Sequence, residues 1–426
     1  MVIASIDVQG GKVVQLKQGS ELVLQRDNAA ELADEFDRYG EVAVIDLDAA
    51  MGKGSNLELI KPLLRRAQCR VGGGIRKAEQ AKELVSLGAQ KIILGSQVFR
   101  GPGGEFAVNT AFLESLVKTI GRERIIVAVD AKSSGAGNYG IVVDGWKTPT
   151  GLDLIDAAKA VEPYAAELLF TCVDREGTMT GIDLSPVEVL RAAVSCSITA
   201  AGGVSTLAEI EALAALDCDV QLGMALYTGK ISLADAFIAS LNWKKAGTLI
   251  PVIALSPDGQ VLMTGFADRE AVTETFKRRS LCFHSRTRNK LWMKGETSGH
   301  TLKLLRLRAD CDRDALLAVV EPAGPTCHTG AWTCFDTGRR YTWEYLQAII
   351  AERFRNPAPG SYTATLDDEL VREKVLEEAE EVCTAKTHDE IVWEAADLLY
   401  FTTALITRAG VTVGEVLDEL DRRHKK

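Results

Sequence analysis

Residues 71–96, VGGGIRKAEQAKELVSLGAQKIILGS, and residues 200–225, AAGGVSTLAEIEALAALDCDVQLGMA, share one pattern. In each, a short strand ends in glycines, an amphipathic helix follows, and a second strand ends in glycine. The echo reaches further upstream, where Asp7 in VIASIDV and Asp130 in RIIVAVD each close the first strand of a half. A duplicated half-barrel explains both facts. Residues 1–243 contain eight strand candidates, VIASIDV, VAVIDLD, CRVGGG, KIILGS, RIIVAVD, LLFTCVD, SITAAGG and DVQLGMA, alternating with helical stretches. Eight strand-plus-helix units in that length predict a closed parallel (β/α)8 barrel of the TIM type.

The chain continues well past the barrel. With 426 residues it is too long for one core, and two to three domains are expected. Residues 248–340 carry β patterns (LIPVIAL, GQVLMTGF, SLCFHS, KLWMKG, TLKLLRLRAD, ALLAVVEP) with one helix near 268–279, which predicts a mixed, mainly-β domain. Residues 341–426 form a third segment, helical and acidic, with a Pro/Gly/Ser-rich run FRNPAPGSYTATL at 354–366. No stretch of about 18 apolar residues is present, so no membrane partner is expected. The N-terminus lacks the basic start and apolar block of a signal peptide, and nine cysteines fit a reducing, cytoplasmic setting better than a disulfide framework. A net charge of −10 argues against nucleic acid as a partner. Within that balance, residues 277–308 hold ten Lys or Arg against one acid, Glu296. Beside a metal cluster this run reads as a phosphate-binding wall.

The metal cluster lies at 308–335, RADCDRDALLAVVEPAGPTCHTGAWTCF. Three thiols, Cys311, Cys327 and Cys334, are the ligand set of a zinc site with one open position, and Asp310, Asp312 and Asp314 offer the oxygens magnesium prefers. In the barrel, Asp7 and Asp130 fall on opposite sides of the C-terminal rim and suit an acid/base pair on a shared substrate. Gly72 to Gly74 with Gly95 and Ser96 make one glycine corner, and Gly202 and Gly203 with Gly223 make its mate. Their backbone N–H groups suit a substrate with a phosphate at each end. In the helical segment Glu377, Glu378 and Glu381 on one helix face Glu394 and Asp397 on the next, a carboxylate set for magnesium on a triphosphate.

Each segment also resembles a known enzyme family. Residues 1–243 resemble the histidine-biosynthesis isomerase that converts ProFAR to PRFAR, an aldose-to-ketose Amadori rearrangement. The resemblance rests on ASIDVQGGKVV, IDLDAAMGKGSN, VGGGIR, LGS, VAVD, GW at 145–146, Thr171, AAGGV and GMALY. It implies that Asp7 and Asp130 are the acid/base pair, that Thr171 assists, that Trp146 stacks on the substrate, and that Gly73, Gly74, Arg76, Gly95, Ser96, Gly202, Gly203 and Gly223 bind it. The loop after the first strand is shorter than the family's, and Gln15, Cys172 and Glu176 depart from its pattern.

Residues 248–340 resemble phosphoribosyl-AMP cyclohydrolase through HSRTRNKLWMKGETSGH, RADCDRDAL, CHTG and CF. That resemblance implies zinc on Cys311, Cys327 and Cys334, magnesium on Asp310, Asp312 and Asp314, and His328 as general base. It also implies Arg286, Arg288 and Lys294 on the substrate, and zinc ligands drawn from two subunits, hence a homodimer. The last segment, through KVLEEAEEV, EAADLLYF and SYTATL, resembles phosphoribosyl-ATP pyrophosphohydrolase of the all-α nucleotide pyrophosphohydrolases. There Glu378, Glu381, Glu394 and Asp397 are implied to bind magnesium, and dimerisation would complete the bundle. The substrates implied are small phosphorylated nucleotides, handled in three consecutive steps. The alternative is a bifunctional cyclohydrolase/pyrophosphohydrolase whose barrel is a catalytically degenerate scaffold.

Overall fold

A computed structural model describes residues 1–135, 137–335 and 338–424. Its first compact unit comprises Met1–Ser256 with Val261–Gly330, and its second comprises Pro257–Gln260 with the described part of Ala331–Lys426.

In the first unit eight parallel strands close on themselves. They are Val2–Gln9, Val42–Asp46, Cys69–Gly72, Lys91–Leu94, Ile125–Gly135, Glu167–Cys172, Ser197–Ala201 and Asp219–Leu222, each hydrogen-bonded to the next, and the last pairs with the first. The sequence reading of a (β/α)8 barrel is thus the observed fold, and all eight strand candidates are strands. Side chains alternate. Val2, Ala4, Ile6 and Val8 of the first strand point outward into a core shared with the surrounding helices. Inward-facing Ile93, Ile126, Ala128, Leu169 and Ala201 make a separate small cluster inside the barrel.

Two antiparallel extensions were not read from the sequence as strands. The first strand continues into Lys12–Lys17 and Glu21–Arg26, and the fifth into Asn138–Val143 and Thr148–Asp153. They occupy equivalent places in the two halves, so the duplication extends to the loops that cover the rim.

The lower end of the barrel is sealed by charge. Arg70 is fully buried and donates to Glu41 and Glu167, with Nε 2.9 Å from Glu41, while Lys91 Nζ lies 3.1 Å from Glu41 and 3.3 Å from Glu167. Thr199 Oγ1 donates to Glu167 at 2.5 Å. Two carboxylates and two cations thereby satisfy one another around the fully buried Arg70, the condition under which buried charge is tolerated.

The rest of the first unit is a four-stranded sheet in the order Val261–Ala267, Ile250–Leu255, Leu316–Pro322, Leu302–Ala309, with a separate hairpin Cys282–Ser285/Lys290–Met293. It docks on the barrel. Phe276 of the helix Arg269–Arg278 stacks on Tyr39 at 4.4 Å and meets Phe237 edge-on at 5.3 Å. Arg306 and Arg308 both pair with the buried Asp37 of the barrel, the latter at 3.3 Å, and Leu307 N donates to Arg38 O at 2.9 Å.

In the second unit the helices Trp343–Arg355, Asp368–Thr384, His388–Arg408 and Val413–His424 surround a small core of Leu346, Ile350, Leu366, Val371, Phe401 and Ala404. Trp343 Nε1 donates to Thr403 Oγ1 at 2.7 Å, tying the first of these helices to the third. Among the described residues no helix is long and apolar enough to cross a membrane.

The sealed base gives a stability prediction. Arg70→Met leaves Glu41 and Glu167 with the half-exposed Lys91 as their remaining cation, and should lower the unfolding free energy of the first unit by about 3 kcal/mol in urea denaturation. Replacing Arg70, Glu41 and Glu167 together by apolar residues should cost clearly less than the single change.

Candidate active site and metal-ligand clusters

The upper end of the barrel opens into a cavity of about 370 Å³. It is lined by Asp7, Asp130, Thr171, Trp146, Gly73, Gly74, Arg76, Gly95, Ser96, Gly202, Gly203 and Gly223, so the structure brings together every barrel residue singled out from the sequence. Its floor is the inward-facing cluster of Ile93, Ala128, Leu169 and Ala201.

The glycine corners are close backbone approaches. Gly73 has φ +107°, and a Cβ there would lie 2.2 Å from Asp46 O. Gly202 has φ +98°, and a Cβ there would lie 2.5 Å from Cys172 O. No other residue fits either place, and both glycine corners line the cavity. Arg76 reaches back to Gly74 O (3.2 Å) and Ala49 O (3.3 Å), which braces the first corner. Ser96 Oγ accepts from Asp144 N at 2.9 Å.

Asp7 and Asp130 lie on the first and fifth strands, across the cavity from each other. Ser5 Oγ donates to Asp7 Oδ1 at 2.6 Å. Asp130 accepts from Thr171, its register partner on the neighbouring strand, and from the Trp146 side chain. Burial pushes the Asp7 carboxyl up to about 6, opposed by the Ser5 hydrogen bond. It raises Asp130 as well, opposed by Thr171 and Trp146. Trp146 has φ +70°, a left-handed backbone that is strained for an aromatic residue, and its ring packs against Gly19, where any Cβ would approach within 2.9 Å.

Two residues that the sequence reading noted only as departures line the same cavity. Glu176 is pushed up to about 7 by burial and by the charges of Asp7 and Asp130. Gln15 is buried, and its Oε1 occupies the space that a side chain at residue 223 would need. The backbone links these loops, since Gln18 N donates to Glu176 O at 3.2 Å. Their signal in the sequence was an acid in a strand-end loop and an amide in the extension Lys12–Lys17 of the first strand, which reveals nothing of direction until the barrel closes.

The metal-ligand candidates divide. Among the described residues, the groups whose ligand atoms lie within 4.8 Å of one another are Asp310, Asp312 and Asp314, and Glu378, Glu381 and Glu394. Both offer oxygen donors only, which fits a hard divalent cation. Asp310 Oδ1 accepts from Asp314 N (3.0 Å) and Ala315 N (3.1 Å), curling the loop, and Lys245 Nζ bridges Asp312 and Asp314. Cys311 is exposed and Cys327 half-buried in the first unit, whereas Cys334 belongs to the second. His328 is exposed with Nδ1 3.8 Å from Cys327 Sγ, and Thr329 Oγ1 donates to that sulfur at 3.1 Å. In the helical unit burial raises the Glu378 carboxyl, reinforced by Glu381 and Asp397. Asp397 is half-buried rather than enclosed, because the apolar residues around it (Trp393, Leu399) remain exposed in the chain. Glu377 turns away to Lys374 at 2.6 Å.

The reading of 277–308 as one phosphate wall is corrected. Lys277 and Arg278 pair with Glu274, Lys303 pairs with Glu321, and Arg306 and Arg308 serve the barrel contact with Asp37. The run spans a helix end, a β hairpin and one further strand, Leu302–Ala309, which send its basic residues in different directions, so a linear charge run does not form a surface patch. Arg286 and Arg288 are exposed on the hairpin, stacked over Phe266 (3.9 Å) and Trp292 (5.7 Å), whereas Lys294 is buried with Nζ 3.3 Å from His300 O.

The raised carboxyls fix a pH dependence. Between the ordinary Glu value of 4.5 and about 7, the folded chain holds a proton on Glu176 that the unfolded chain has released. Stability therefore falls as pH rises through that window. Glu176→Gln cannot ionise, so its thermal midpoint should gain on the parent's progressively from pH 5 to pH 8. A constant offset between the two would contradict the burial of this charge.

Comparison with known proteins follows the same three segments. Family models match in order: histidine biosynthesis protein over residues 1–232, phosphoribosyl-AMP cyclohydrolase over 263–336, and phosphoribosyl-ATP pyrophosphohydrolase over 344–424. The histidine biosynthesis bifunctional protein HisIE of Photobacterium profundum is 38% identical over 206 residues, covering 45% of this chain and 100% of that protein. The HisIE of Pyrococcus furiosus is 37% identical over 206 residues, covering 45% and 99%. The 1-(5-phosphoribosyl)-5-((5-phosphoribosylamino)methylideneamino)imidazole-4-carboxamide isomerase of Methanosphaera stadtmanae is 34% identical over 246 residues, covering 55% of this chain and 98% of that protein. Relatives of the barrel and relatives of the remainder are thus each matched over nearly their whole length. The chain belongs to the histidine biosynthesis protein family, with cyclohydrolase and pyrophosphohydrolase enzyme segments following its barrel.

Proposed function

We propose that this chain catalyses three consecutive steps of histidine biosynthesis. Residues 341–426 hydrolyse phosphoribosyl-ATP to phosphoribosyl-AMP and pyrophosphate, residues 248–340 open the adenine ring to give ProFAR, and residues 1–243 isomerise ProFAR to PRFAR. The observation that carries the last and least obvious step is the barrel cavity. It places two carboxyls across from each other between two glycine corners, matched to a substrate with a phosphate at each end.

In the barrel, a proton must be given to the sugar ring oxygen as it opens and another removed from the adjacent carbon. A buried carboxyl held above its ordinary range can donate at neutral pH, and a second across the cavity can accept, so Asp7 and Asp130 share the two tasks. Thr171 holds Asp130 in place, and Trp146 offers its ring to the substrate from a strained turn that fixes its direction.

In the other two segments Asp310, Asp312 and Asp314, and Glu378, Glu381, Glu394 and Asp397, would hold magnesium, and Cys311, Cys327 and Cys334 zinc. When bound, these metals supply neutralisation of phosphate charge and activation of water. His328 would move the proton of the attacking water, with Arg286, Arg288 and Lys294 on the nucleotide. A homodimer is part of this reading. Leu376, Ile391, Val392, Trp393, Leu399 and Leu420 are exposed apolar residues of the second unit, more than solvated helices normally show. A cytoplasmic setting belongs to the same reading, supported by nine cysteines among which no disulfide forms in the described residues.

Purified chain given ProFAR should yield PRFAR, and Asp130→Asn should lower that rate by at least about a hundredfold, as loss of a general acid or base does, leaving pyrophosphate release from phosphoribosyl-ATP intact. No PRFAR from the parent chain would instead make the barrel a scaffold for a bifunctional enzyme. Glu381→Gln should abolish pyrophosphate release alone.

A further inference from the structure

The 310–314 loop, with its three aspartates and Cys311, is not held by its own segment alone. Arg313, between Asp312 and Asp314, has φ +63° and turns its side chain away from the loop into the base of the barrel, where it is almost wholly buried. Its guanidinium donates to Ala214 O (3.0 Å), Cys218 O (3.1 Å), Asp217 Oδ1 (2.8 Å) and Asp219 Oδ1 (3.4 Å). Asp219 in turn pairs with the N-terminal amine of Met1. The linker grips the other side of the loop: Asn242 N donates to Arg313 O at 2.8 Å, Asn242 Nδ2 to Asp312 O at 3.3 Å, and Lys245 reaches Asp312 and Asp314.

We propose that the base of the barrel is a positioning platform for the cyclohydrolase loop, with Arg313 as the positioning residue that sets the direction of the flanking aspartates. This rests on the reading of residues 248–340 as a cyclohydrolase. A planar fork with four acceptors fixes both the place and the orientation of the Arg313 backbone. The loop is a tight turn, closed by Asp314 N and Ala315 N on Asp310 Oδ1, so an arginine pinned into the barrel at its middle fixes the backbone from which Asp312 and Asp314 converge with Asp310 and meet Lys245. A left-handed arginine is strained, and the strain persists because the barrel contacts over-determine it. The barrel thus contributes to a reaction whose groups it does not carry, and the two ends of one barrel have separate uses.

The experiment uses the full-length, zinc-loaded chain, with magnesium varied. Loss of outer-shell support to a metal ligand lowers affinity or activity by about ten- to a hundredfold. Arg313→Ala, and the barrel-side change Asp217→Ala with Asp219→Ala, should each raise the magnesium concentration for half-maximal phosphoribosyl-AMP turnover about tenfold or more. Each should lower kcat and leave KM within about twofold, and the combined variant should be no worse than either alone. Arg313→Lys, which keeps charge without the fork, should recover part of the loss. Tyr39→Ala, which removes the docking stack on Phe276 away from the loop, should lower the melting temperature without moving the magnesium dependence. Calorimetric magnesium binding in a Glu381→Gln background, where the helical cluster is impaired, gives a readout independent of turnover and should weaken with Arg313→Ala. If parent and Arg313→Ala bind magnesium alike, or if Tyr39→Ala shifts the magnesium dependence as much as Arg313→Ala does, the proposal is overturned. If the parent binds magnesium but never turns over phosphoribosyl-AMP, the cyclohydrolase reading fails while the binding comparison still decides the platform.

Discussion

Closure of eight parallel strands into a barrel is the constraint on which the rest of the chain depends. Once Asp219–Leu222 pairs back onto Val2–Gln9, every strand ends on the same rim, and residues far apart in sequence share one small volume. Asp7 and Asp130 then face each other because they end strands one and five of eight. The same closure forces the opposite rim to bury the starts of those strands. There Arg70, Lys91, Glu41 and Glu167 neutralise one another. A sealed base and an open mouth are two consequences of one topology.

Each end then carries its own chemistry. At the mouth, burial without a counter-ion raises three carboxyls, so protons remain available near neutral pH. At the base, acids are matched to cations, including those of a different segment. Asp37 takes Arg306 and Arg308, and Asp217 and Asp219 take Arg313. Fusion of a barrel to a cyclohydrolase segment has thereby become a packed interface within one compact unit, with aromatic contacts from Phe276 to Tyr39 and Phe237.

Much of this was legible in the sequence, for identifiable reasons. Strand-end aspartates and paired glycines are local signals: a glycine that must take φ near +100° against a neighbouring carbonyl has no substitute, so the motif survives on one line of text. Asp310, Asp312 and Asp314 are likewise close in sequence and converge. What depended on three-dimensional direction was not legible. Glu176 looked like an ordinary departure until closure aimed it at Asp7 and Asp130. The basic run at 277–308 looked like one surface, yet strand alternation and the Asp37 contact disperse it. Arg313 sat unnoticed within a metal motif, because nothing in a linear string shows that one residue of the five faces the barrel.

The claim that one chain performs three successive reactions is tested most directly by giving the purified full-length protein phosphoribosyl-ATP with zinc and magnesium and following all products by chromatography over time. Pyrophosphate and PRFAR should appear in equal final amounts, with phosphoribosyl-AMP and ProFAR rising and then falling. Accumulation of ProFAR with no PRFAR would contradict the claim, as would a halt at phosphoribosyl-AMP.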